Sequence, residues 1–122
     1  MTTAKYFKES EFRACSPACS LQDMRQSTMN RFDRARGIAG IPFVLNSAYR
    51  SPEWELAHGR SGKGAHTHGC ALDIRCNTSA NRMRIVYGLL MAGFTRIGIG
   101  KTYIHADDDE TKPQNVMWHY YE

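Results

Sequence analysis

His66 and Asp73 are the residues whose types and spacing first suggest chemistry. Imidazole and carboxylate are good ligands for a divalent transition metal. Both lie in Gly64-Ala65-His66-Thr67-His68-Gly69-Cys70-Ala71-Leu72-Asp73-Ile74, a loop rich in glycine and histidine that runs into a short apolar strand. Gly69 lets the backbone turn sharply between them. If residues 70–75 are extended, Ala71, Asp73 and Arg75 share one face, and Cys70, Leu72 and Ile74 the other. Asp73 then faces a site while its neighbours face a core, and a metal is one partner that offsets burial of its carboxylate. The alternative is an ordinary exposed Asp at a strand end.

Two further stretches supply what such a site needs. Tyr103-Ile104-His105-Ala106-Asp107 reads as a strand with His105 and Asp107 on the same side. Arg50 falls at the mouth between a strand and a helix. Two imidazoles and one carboxylate leave the fourth tetrahedral position to water, as in a catalytic zinc rather than a closed structural one. Such a metal lowers the pKa of its water to about 7 and polarises a carbonyl, which suits amide hydrolysis.

The elements that must position these groups are legible in outline. Residues 1–19 read as irregular. Ser20 reads as the cap of a helix through Leu21, Met24, Thr28, Phe32 and Ala35 to about Arg36, ended by Gly37 and Gly40. Arg25, Arg31 and Arg34 are expected on its solvated face. Residues 41–47 read as a strand, and Ser51-Pro52 starts a short helix carrying Trp54 and Leu56. Thr78 or Ser79 caps a second long helix through Met83, Val86, Leu90 and Met91, stopped at Gly93. Phe94, Ile97 and Ile99 begin a strand, with Gly98 and Gly100 bracketing a tight turn, and residues 116–121 form the last strand. The acidic run at 107–110 is not a calcium loop, because Lys112 stands where that loop needs glycine. Gly62-Lys63 is not a phosphate loop, with Ala57 and Gly64 at its defining positions. The pattern is that of a single α+β domain over residues 1–122.

Composition narrows the class. The chain has 122 residues, is 42% hydrophobic and 23% charged, and carries a formal net charge of +4. This is a globular composition, with no apolar run of membrane-spanning length and no signal-peptide core at the N-terminus. The expectation is synthesis in a cytoplasm. The charge excess suits an anionic partner such as nucleic acid or cell wall, but no basic block or aromatic-basic interleaving marks a nucleic-acid reader. Cys15, Cys19, Cys70 and Cys76 do not follow zinc-finger or redox spacings and are expected as reduced, partly buried thiols.

Ser47-Ala48-Tyr49-Arg50-Ser51-Pro52, His66-x-x-Gly69-x-Ala71-x-Asp73 and Ile104-His105-x-Asp107, in that order, resemble the signature of the zinc D-Ala-D-Ala carboxypeptidase family. These M15-type peptidases include L-alanyl-D-glutamate endopeptidases of phage lysins and share a fold with hedgehog signalling domains. The resemblance runs from about residue 7 to the C-terminus. It implies a hedgehog/DD-peptidase-like α+β fold, a small antiparallel sheet packed with two main helices. It implies zinc on His66, Asp73 and His105, and Arg50 binding or orienting a peptide carboxylate or carbonyl. Tyr49 and His68 are candidate substrate contacts.

The implied reaction is zinc-dependent hydrolysis of peptide bonds in bacterial peptidoglycan by a monomer, acting at the cell wall as a phage lysin would. The pattern's serine two residues before the first histidine is Gly64 here. Relatives often carry an acid just upstream of the last histidine, where this chain has Lys101, Thr102 and Tyr103. Asp107 is therefore the candidate general base, its alternative role being to orient a ligand or Arg50. His119, after Trp118, is the rival third ligand. The rival functions are a non-catalytic zinc-containing wall-binding module of the same fold and a metal-dependent nuclease.

Overall fold

In the computed structural model, which describes residues 1–121, Ser20 opens a single 3-10 turn, Leu21–Asp23, in place of the long helix expected there. Its N–H donates to Asp23 Oδ2 at 2.9 Å and its hydroxyl accepts from the Gln22 N–H. Met24 and Arg25 are extended, and the Arg25 N–H donates to the Gly69 carbonyl at 2.9 Å. Gly69 has φ 70°, and a Cβ there would stand 2.5 Å from the Asp23 carbonyl oxygen. The helix break is thus the surface on which the histidine loop docks.

Helix α2 begins at Gln26 and runs to Ala39. Gly37 lies inside it; Gly40, left-handed at φ 72°, ends it by donating its N–H to the Arg36 carbonyl. Before it, the stretch read as irregular contains a five-residue helix, α1 (Glu9–Arg13). Helix α3 (Pro52–Ala57) starts at the Ser51 cap, and α4 (Ser79–Met91) at Thr78, whose hydroxyl accepts from the Asn81 N–H.

The strands are β1 (Leu45–Ser47), β2 (Ala71–Arg75), β3 (Arg96–Ile99), β4 (Tyr103–Asp107) and β5 (Val116–His119). They form one five-stranded sheet in the order β1-β2-β4-β3-β5. The domain is therefore α+β, but its sheet is not wholly antiparallel as expected, for β5 runs parallel to β3. Both Asp107, ending β4, and Val116, opening β5, pair with Arg96. The acidic run joining them crosses the end of β3, which fixes the direction of β5. Gly98 lies within β3, and the tight turn runs from Gly100, whose N–H donates to the Tyr103 carbonyl at 2.9 Å.

One face of this sheet is core. Leu72, Ile74, Ile97, Ile104 and Ala106 are buried in one apolar cluster with Met29 and Phe32 of α2 and Ile85 and Leu89 of α4. The two helices approach closely at Gly88, where a Cβ would meet the Ala35 carbonyl oxygen at 2.4 Å. The opposite face carries the polar residues of alternate positions. All four cysteines are buried free thiols. Among the described residues no helix is long and apolar enough to cross a membrane.

Candidate metal centre

A single row crosses all five strands on the polar face: Ser47 pairs with Asp73, Asp73 with His105, His105 with Gly98, and Gly98 with Trp118. Ser47 reaches this row through a register shift in β1. Leu45 pairs with Ile74 and so enters the core, whereas Ser47 two residues later pairs with Asp73. A bulge of this kind re-aims a side chain at a strand edge.

Two imidazoles converge on one carboxylate. His105 Nδ1 lies 2.9 Å and His66 Nε2 3.3 Å from Asp73 Oδ1. The remaining ring nitrogens are anchored from behind, His66 Nδ1 at 2.6 Å from the Ala48 carbonyl and His105 Nε2 at 2.6 Å from Asp107 Oδ2. Metal-ligating histidines are commonly held this way, one nitrogen outward and the other on a carbonyl or carboxylate. Donor atoms of His66, Asp73 and His105 lie within 4.8 Å of one another. Two imidazoles and a carboxylate, all almost buried, form a donor set that fits zinc.

The electrostatics follow from this packing. Burial alone would raise the Asp73 carboxyl, but hydrogen bonds from His105 and His66 outweigh it and hold the group well below the usual carboxylate range. Burial would lower His105, yet Asp107 and Asp73, one on each nitrogen, push it up to about 9. Asp107 is fully buried, with Oδ1 accepting from Arg96 Nε at 2.7 Å and from the Asp109 N–H at 3.1 Å. Both its oxygens are thus engaged.

Arg50 closes the other side. Its Nε donates to Ser47 Oγ at 2.9 Å and an Nη donates to Asp73 Oδ2 at 3.0 Å. Its second Nη stands 3.9 Å from Oε2 of Glu55, a buried carboxylate of α3 whose same oxygen lies 3.5 Å from Arg60 Nε. A cavity of about 420 Å³ opens over the three-residue cluster, walled also by Arg50, Arg60, Arg96, Lys112, Tyr103 and Tyr120. Trp118 leans towards it, its ring centroid 5.6 Å from that of His105.

His66, Asp73, His105, Asp107 and Arg50 therefore meet. Other candidates do not join them. His68 Nδ1 lies 2.8 Å from Asp109 Oδ2, tying the histidine loop to the acidic run. Tyr49 packs against the core. His119 is exposed, on the opposite side of β5 from Trp118, with its ring stacked on Tyr121. Arg25 is not free surface as expected, since it bonds the His68 carbonyl and Glu110. Glu55, Arg60 and Arg96 went unread in the sequence, while Lys112 was read only as excluding a calcium loop and Gly98 only as bracketing a turn. Arg96 left a signal there, a charge alternating with Ile97 and Ile99; Glu55 left none, being one acidic residue on a short helix.

A family model described as Peptidase M15 matches residues 5–107, and the chain belongs to this family of metallopeptidases. That span includes Arg50, His66, Asp73, His105 and Asp107 and ends before β5. No curated relative matches the chain.

Proposed function

We propose that this protein hydrolyses peptide bonds in the peptide portion of bacterial peptidoglycan, with zinc held by His66, Asp73 and His105. The observation that carries the reading is the convergence of His66 Nε2 and His105 Nδ1 on Asp73 Oδ1, beside Arg50 and at the floor of an open cavity. Zinc bound there supplies an acidified water and a Lewis acid for the scissile carbonyl. Arg50 presents a planar fork suited to a peptide carboxylate or carbonyl. Its tie to Ser47 keeps that fork aimed along the sheet row. Asp107 holds His105 in the tautomer that turns Nδ1 to the site, the role its two occupied oxygens support over that of general base.

A second reading has its own support. No carboxylate occupies positions 101–103, and Asp107 has no free oxygen, as suits a wall-binding module that holds zinc without turnover. Mass spectrometry of muropeptides incubated with the protein separates the two. The peptidase reading expects new peptide termini that chelator suppresses; intact peptides in zinc across several wall types would favour the binding module.

A further inference from the structure

Cys15 and Cys19 stand apart from the other thiols. They flank the turn after α1, and the N–H groups of both donate to one carbonyl, that of Phe12, at 3.2 and 3.1 Å. Nitrogens so held are no more than about 6 Å apart, comparable to the Cα separations of about 4.4–6.8 Å that a disulfide spans. Both side chains are buried, at 6% and 8% exposure, but Ser16 and Ala18 between them are exposed, so the pair lies just beneath solvent. The two thiols interact closely enough to lower the pKa of Cys19 and raise that of Cys15, while Cys15 Sγ points to the Glu11 carbonyl at 3.4 Å and Cys19 Sγ to that of Phe12 at 3.7 Å. The Cys70 and Cys76 thiols likewise point to carbonyls, those of Ala65 and Thr78, and the groups acting on Cys70 are carboxylates and Arg25 rather than a second thiol.

We propose that Cys15 and Cys19 are an oxidisable dithiol, a redox modification site that closes to an intrachain disulfide against a small-molecule disulfide. The Cys19 thiolate attacks one sulfur of the reagent, breaking its S–S bond and releasing one thiol. Cys15 then gives up its proton and attacks the Cys19 sulfur, expelling the second thiol. The protein loses two protons and two electrons, and the reagent disulfide is reduced to two thiols.

The turn is wired to the site. The Ser16 N–H donates to the Asn46 carbonyl at 3.0 Å, and the Ser16 carbonyl accepts from Ser47 Oγ at 3.0 Å. Ser47 Oγ in turn accepts from Arg50 Nε. Oxidation should therefore shift the use of Arg50 without displacing zinc, a consequence that rests on the peptidase reading, whereas the bridge itself does not.

The test is incubation of the zinc-loaded full chain in graded mixtures of reduced and oxidised glutathione, followed by alkylation, intact mass and non-reducing peptide mapping. The expected product is two hydrogens lighter, with a Cys15–Cys19 link and with Cys70 and Cys76 alkylated. Cys19 should react at least about tenfold faster than Cys70. Cys15→Ser should stop at the glutathione adduct on Cys19, and Cys19→Ser should leave Cys15 unmodified over the same time. Wild-type mapping decides the matter even if a variant folds poorly. Alkylation of both Cys15 and Cys19 throughout, an adduct that never resolves, or a link through Cys70 or Cys76 would overturn the proposal. If the bridge forms and wall-peptide turnover by an active preparation is unchanged, the coupling to Arg50 is overturned and the bridge stands.

Discussion

Trp118 lies across Gly98 of the neighbouring strand, so close that a Cβ on Gly98 would stand 2.6 Å from the indole nitrogen. The glycine is what allows the indole to reach over the row towards His105, and it also leaves room for Tyr120. Gly98→Ala must push both rings outward. Overpacking of this kind costs about 1–3 kcal/mol. Thermal unfolding should show that loss, and tryptophan fluorescence should shift towards an exposed indole. An unchanged spectrum would mean that the ring does not depend on this gap.

The metal assignment is checked by metal analysis of variants. His105→Ala should lose most bound zinc, while His119→Ala, altering a ring on the far side of β5, should keep it. Asp107→Asn removes the charge behind His105 Nε2 and should weaken zinc affinity about 10–100-fold, as loss of a supporting carboxylate does. A variant that keeps full zinc affinity but loses about two to four orders of magnitude in rate would instead make Asp107 the general base.

Arg50→Lys replaces a fork with a point charge. Ser47, Asp73 and Glu55 surround three different nitrogens of the guanidinium, and one ammonium cannot meet all three. Turnover of wall peptides should fall with zinc content unchanged. Normal kinetics would reduce Arg50 to a tie between β1 and α3.

The pH dependence of the metal-free protein follows from His105. Its pKa is raised from 6.5 to about 9 on folding, so its protonated form is favoured in the native state. The stabilisation is fully present below pH 6.5 and is lost as pH rises through about 9. Chelator-treated protein should therefore unfold at progressively lower denaturant concentration between those limits. Zinc affinity should rise over the same window, because the ligand must shed its proton. A flat profile in both measurements would contradict the two-carboxylate clamp on His105.

Much of the candidate site was legible because its parts are local. His66 and Asp73 share one loop and strand, His105 and Asp107 alternate on one strand, and Arg50 precedes a capped helix, so short-range spacing and backbone periodicity suffice to pick them out. The α+β class was readable for the same reason. The boundaries near Gly69 were not: the break after Asp23 depends on a loop more than forty residues away, which takes up the Arg25 N–H. Nor could periodicity reveal the row from Ser47 to Trp118, since it is built from strand register, and register is set by pairing partners distant in the chain. The residue types and their alternation determined which groups could bind a metal. Only the tertiary structure decided which nitrogen of each histidine faces Asp73, that Asp107 is spent on His105 and Arg96, and that a buried glutamate stands behind Arg50. Those choices turn on distances between segments that no local pattern encodes.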